Sequence, residues 1–157
     1  LKLFDENHPG VAHCYNLIGA NYGRTGEPRK ALEHYFKSGQ IFRTCFGEIH
    51  QYVARSYVNS GISYFELGDY ENAIAYQRKA ITIFKELFGD NQYVGNGYRR
   101  LGNYYAAKNS LEEAMNSFRE SLRINTRPPI SNRMDVATLY SDIGKLHQKQ
   151  DHHMLAL

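Results

Sequence analysis

Cysteine is nearly missing from this sequence, Cys14 and Cys45 being the only two in 157 residues. Two thiols are too few for a disulfide framework and lack metal-ligand spacing, so reduced side chains and a cytoplasmic setting are expected. Tryptophan is absent. Long apolar runs are absent too: none approaches the roughly 20 residues of a spanning helix, and no basic-then-apolar segment opens the chain. No membrane partner is therefore expected. Charge of one sign is in short supply, 19 Lys and Arg against 16 Asp and Glu, and the resulting +3 is spread along the chain. Nothing in that distribution calls for nucleic acid. At 42% hydrophobic and 22% charged residues the composition is that of a soluble globular domain rather than a disordered segment, and the length fits one domain.

Signatures of catalysis are also wanting. The sequence holds no Gly-rich phosphate loop after a strand, no His-Glu-x-x-His and no spacing that pairs carboxylates. His13 and Cys14 are neighbours, but adjacent helical residues diverge by about 100° and no third group orients a base. His147, His152 and His153 point in different directions on a helix or turn and do not make a metal set. No catalytic residue, metal or cofactor is expected, and the chain reads as no enzyme.

What the chain does have is 13 Tyr and 13 Gly, and these recur at intervals. Tyr15-Asn-Leu-Ile-Gly19-Ala-Asn-Tyr22 returns around Tyr57 and Gly61, around Tyr98 and Gly102, and around Tyr140 and Gly144, the glycines stepping by 42, 41 and 42 residues. Each motif is followed by a turn and two small residues seven apart: Ala31 and Ser38, Ala73 and Ala80, Ala114 and Ser121. Phe4 stands where Phe46 and Phe88 close later units, and the fourth copy reaches Ala156. The expected organisation is a single-domain fragment over 1–157, with repeats near 8–49, 50–90 and 91–132, a partial one over 133–157, and the end of a preceding repeat at 1–7.

Three-and-four spacing, as in Ala73, Tyr76, Ala80, Ile83, Phe84 and Leu87, gives each unit two helices with one buried face. Gly26-Glu-Pro28, Gly68-Asp69 and Pro128-Pro129 supply the breaks. The predicted helices are 10–24, 28–45, 51–66, 70–87, 92–107, 111–125 and 132–149. Small residues such as Gly61 and Ala73 let paired helices approach while Tyr57 and Tyr64 fill the space beside them. Tyr15, Tyr57, Tyr98 and Tyr140 are expected to pack, whereas Tyr52, Tyr93 and Tyr104 fall off that register and are candidates for exposed contacts.

The run Tyr57, Gly61, Tyr64, Gly68, Tyr70, Ala73 and Ala80 resembles the tetratricopeptide repeat. The period near 42 and the joints His8-Pro9-Gly10, Phe46-Gly47-Glu48 and Phe88-Gly89-Asp90 are similar to the kinesin light chain subtype, with Ser60, Asn109 and Pro128-Pro129 as departures. The resemblance implies an all-α, right-handed superhelical solenoid of antiparallel helix pairs whose concave wall is built from first helices. It also implies an inward set of Asn16, Arg24, Arg55, Asn59, Asn96, Arg99, Arg100, Asn103 and Lys145, along with His13, Leu17, Ala20, Val58, Ile62, Phe65, Glu66, Thr138, Ser141, Asp142 and Lys149. Six of these are basic and two acidic.

Asn can pair with a peptide backbone and Arg can grip a carboxylate bidentately. The expected partner is accordingly a protein or peptide that is acidic or offers a C-terminal carboxylate. Asn59 and Arg100 match the two-carboxylate clamp of chaperone-binding members, while Asn16, Ala20 and Asn96 depart from it. The expected function is a scaffold or adaptor module. The alternative is a regulatory sensor segment controlling an attached effector domain. Val136, Leu139, Ile143 and Leu146 form an apolar face that, left uncovered, would favour homo-oligomers.

Overall fold

The computed structural model describes residues 6–127 and 133–155, with side chains over 6–127 and 136–149. Phe4, Pro128, Pro129 and Ala156 lie outside the described residues, as do the side chains of His152 and His153. Seven helices and no strand occur among the described residues: α1 Pro9–Arg24, α2 Pro28–Phe46, α3 Gln51–Glu66, α4 Tyr70–Phe88, α5 Gln92–Ala107, α6 Leu111–Asn125 and α7 Arg133–Leu155. Six match the sequence-based expectation to within a residue at either end. The last runs past residue 149 because nothing between Gln148 and Leu155 is a Gly or Pro that would stop it.

Two compact units divide the chain at residues 87 and 88, α1 to α4 in the first and α5 to α7 in the second. Local chemistry sets where the helices begin. His8 and His50 accept at Nδ1 from the backbone N–H of Gly10 (3.0 Å) and Tyr52 (3.3 Å), and Asn91 Oδ1 accepts from Val94 N–H at 3.0 Å. Each supplies one of the acceptors that a helix N-terminus lacks. Pro9 and Pro28 occupy first helical positions, where the missing N–H costs nothing.

The turn inside each pair is built the same way three times. Gly26, Gly68 and Asn109 adopt positive φ (78°, 77° and 69°), and the N–H one residue later returns to the carbonyl of Tyr22, Tyr64 and Tyr105, each at 2.9 Å. That is a helix stop in which a left-handed residue lets the chain satisfy its last carbonyls. Asn109 substitutes for glycine there because Asn tolerates the left-handed region better than other side chains.

Helix pairs close on their glycines. A Cβ added to Gly19 would lie 2.8 Å from the Tyr35 ring, and one on Gly61 would lie 3.3 Å from the Ala73 carbonyl. In the second unit a Cβ on Gly102 would overlap the Phe118 ring. Ala31 and Ala73, whose carbonyls lie against Gly19 and Gly61, are completely buried, as are Ala12, Ala80 and Ala114, so close backbone approach is what the small residues provide.

The aromatic position of the second helices, Tyr35 in the first repeat and Phe118 in the third, is taken by Gln77 in α4. Its side chain is fully buried and neither amide atom has a hydrogen-bond partner among the described residues. A buried polar group left unmatched costs about 1–3 kcal/mol. Gln77→Met, of nearly the same volume, is accordingly expected to raise the free energy of unfolding by about 1–3 kcal/mol, read from urea denaturation with an unchanged m-value.

Three expectations need correction. Tyr104 is 4% exposed, because it turns into the core of its unit rather than to solvent. On α7, Leu139 and Leu146 are buried at 0% and 2%, so the face carrying them is covered by the packing of α7 on α5 and α6. What α7 leaves open is the adjoining face of Tyr140, which is 59% exposed instead of packed as its register predicts, and of Gly144, whose added Cβ would meet no described atom within 4 Å. In earlier repeats that face is where the second helix packs.

Candidate protein-binding surface

The first helices carry the candidate side chains, and each unit presents its own set. In the first unit Asn59 Nδ2 donates to Asn16 Oδ1 at 2.9 Å, joining α3 to α1. In the second, Arg99 Nη1 meets Asp142 Oδ2 at 3.3 Å and Lys149 Nζ donates to the Ala106 carbonyl at 2.6 Å, joining α5 to α7. All three bonds span 43 residues, one more than the usual glycine step. A wall residue therefore bonds to the position one place later in the next repeat, an offset that the 42-residue period alone did not reveal.

Of the predicted cations, Arg24 is exposed and donates to Asn21 Oδ1 at 2.9 Å, a residue outside the predicted wall set. Arg99 is committed to Asp142, although its Nε has no partner, and the half-buried Asn96 also keeps Oδ1 unmatched. Arg55, Arg100, Asn103 and Lys145 form no hydrogen bond or ion pair with described residues. Their charge and hydrogen-bonding capacity remain available.

Arg55 also borders a depression of about 180 Å³ together with His13, Asn16, Leu17, Phe42 and Tyr52. Its floor is aromatic: His13 stands edge-on to Phe42 and Tyr52 with centroids 4.9 and 4.7 Å apart, and Phe42 stacks on Tyr52 at 4.9 Å. Leu17 is 68% exposed beside it. Sequence reasoning placed His13, Asn16, Leu17 and Arg55 on this wall and named Tyr52 only as a candidate exposed contact, but missed Phe42; these two rings come from the start of α3 and the end of α2. Tyr93 is exposed in the second unit, in line with the sequence.

Several tyrosines titrate high. Burial pushes the Tyr35 phenol up. It does the same at Tyr57, aided by Glu48, whose Oε1 accepts the hydroxyl at 2.6 Å, and at Tyr64, aided by Tyr76. A folded-state value above the unfolded one contributes stability that is intact below the ordinary value of 10.0 and is lost as pH rises through the higher folded value. Thermal midpoints are therefore expected to hold level to about pH 9 and to fall above pH 10, which a series of melts in alkaline buffers measures.

Among the described residues no group of three or more His, Cys, Asp or Glu side chains could hold a metal ion, and no helix is long and apolar enough to cross a membrane.

Residues 52–127 match the tetratricopeptide repeat family model. That stretch, just under half of the chain, is made of tetratricopeptide repeats. The chain's fold is similar to that of BtubC (BKLC) from P. vanneervenii, with a TM-score of 0.82 at 23% identity over 90% of this chain. This chain spans 57% of the BtubC chain. A putative kinesin light chain from P. anserina, with nearly identical repeats, aligns at TM-score 0.69 and 15% identity, covering 90% of this chain and 71% of that one. The N-terminal domain of stress-induced protein-1 from C. elegans aligns at 0.64 and 21%, covering 84% and 96%. No curated protein matches the sequence. The fold is thus that of an all-α tetratricopeptide-like solenoid. Such repeats are protein–protein interaction modules, and proteins built from them act in general as non-enzymatic scaffolds.

Proposed function

We propose that this repeat protein is a non-catalytic scaffold or adaptor whose first-helix side chains hold an acidic peptide segment, with a C-terminal carboxylate as the favoured anchor. The observation that carries this reading is Arg55: an exposed guanidinium with no ion pair, at the edge of a depression floored by Phe42 and Tyr52 and flanked by Leu17. A guanidinium offers a carboxylate two parallel N–H donors, the aromatic floor gives an apolar side chain somewhere to go, and Asn16 and Asn59 can accept and donate to a peptide backbone. In the second unit Arg100, Asn103 and Lys145 offer the same chemistry, with Asn96 and Arg99 beside them on α5.

Carboxylate recognition at exposed cations weakens with salt. Isothermal titration should show an acidic peptide with a free C-terminus binding more tightly than its amidated counterpart, with the difference shrinking as ionic strength rises. Equal affinity of the two forms at low salt would remove the carboxylate anchor from the account.

A further inference from the structure

A second depression lies in the first unit, about 310 Å³ in volume, between α2 and α4 with α3 as its floor. Ser56, Tyr57 and Ser60 form that floor. At about 100° per residue they occupy the arc of α3 opposite Arg55, Asn59 and Ile62, so this depression is separate from the surface described above.

Its origin can be read against the other repeats. Ser60 stands immediately before the motif glycine, where the first, third and fourth repeats place Ile18, Leu101 and Ile143. Gly39 of α2 stands where the second and third repeats place Ile81 and Leu122. Two branched aliphatic side chains that the repeat normally supplies for itself are therefore missing at one spot, and Gly39 borders the gap so closely that an added Cβ would come 3.2 Å from Ser56 Cβ.

The rim is aromatic and cationic. Tyr57 and Tyr76 meet edge to face at 5.7 Å, and Phe36, 40% exposed, adds a third ring 5.8 Å from Tyr76. Lys79 Nζ lies 5.6 and 5.2 Å from the Tyr57 and Tyr76 centroids. Arg43 is the other basic lining residue, and no lining residue is acidic. Glu48, outside the lining, accepts from Tyr57 and pairs with Arg43 at 3.8 Å. Lys79 has no carboxylate partner among the described residues.

From these features we infer that the α2–α4 depression is a second binding site, one that takes a branched aliphatic side chain of a partner peptide flanked by Asp or Glu. The aliphatic group restores the volume absent at Ser60 and Gly39, and the flanking carboxylate meets Lys79. Burying one Leu side chain and one exposed ion pair supports only weak affinity for a short segment, which suits a contact acting together with the first-helix surface.

The probe is acetyl-Glu-Glu-Leu-Glu-Glu-amide, whose blocked C-terminus separates this site from a carboxylate anchor at Arg55. Amide NMR titration of the 157-residue chain should show saturable shifts at Gly39, Ser60 and Lys79 at roughly millimolar peptide. Replacing the peptide Leu by Ala, or Lys79 by Glu, should weaken the binding read at Gly39 and Ser60 roughly tenfold, while Arg55→Glu, which acts on the first-helix surface alone, leaves the shifts at those two residues unchanged. Ser60→Leu supplies the repeat's own plug, so it should raise the melting temperature and abolish the shifts. No saturable binding, equal affinity for the Ala peptide, or shifts that vanish in Arg55→Glu but persist in Lys79→Glu would each overturn the inference. Loss of binding in Arg55→Glu alone would leave the first-helix reading intact and remove only this one.

Discussion

Replacing Gly102 by alanine is expected to lower the free energy of unfolding by about 3 kcal/mol, the upper part of the usual overpacking range, while the same exchange at Gly144 raises it by about 0.5–1 kcal/mol. The two glycines occupy the same place in the repeat motif. Gly102 lies against the Phe118 ring, where a Cβ would overlap it, and Phe118 is 1% exposed with no room to retreat. Gly144 lies in α7 with open space beyond it among the described residues, so alanine there brings only its better helix propensity. Urea denaturation of the two single variants gives both numbers. A destabilised Gly144→Ala would mean that its face is covered in solution by a second chain or another segment, and equal effects at both sites would mean that helix pairing does not depend on the glycine contact.

The second large effect is functional. Arg55→Glu combined with Arg100→Glu should weaken binding of an acidic peptide by about 10-fold to 100-fold per lost guanidinium contact, from the 1.5–3 kcal/mol typical of hydrogen bonds to charged groups. Neither arginine holds the fold together: both are free of ion pairs with described residues and lie on the first-helix side. Melting temperatures should therefore stay within a degree or two of the parent for exposed-site changes of this size. Arg99→Glu is a poorer test, because it also places a second carboxylate beside Asp142.

The elements of the fold were legible in the sequence because their signals are strictly local. Gly26, Gly68 and Asn109 mark the turns, Pro9 and Pro28 mark helix starts, and the tyrosine–glycine spacing fixes which face of each first helix is buried. Where the signal was not local, the reading fell short. The α7 face through Leu139 and Leu146 reads as uncovered from its own repeat alone, whereas the preceding pair, distant in sequence, covers it. Tyr104 sits next to a motif tyrosine and could not be told from a surface residue by register alone. At the candidate surface, first-helix periodicity gave Asn16, Arg55, Asn59 and Arg100 their place. It could not show that Asn16 and Asn59 bond each other or that Asp142 occupies Arg99, since both depend on the 43-residue offset between neighbouring first helices. Phe42 and Tyr52 reach the Arg55 depression from the ends of two different helices, a convergence that no single helical pattern records.

The central claim, that first-helix side chains hold the partner, is tested most directly by hydrogen–deuterium exchange with and without an acidic peptide bearing a free C-terminal carboxylate. Added protection is expected in peptides covering residues 13–24 and 52–62, with the Arg55→Glu variant losing the change at both. Protection confined to the second helices, or unchanged by Arg55→Glu, would contradict it.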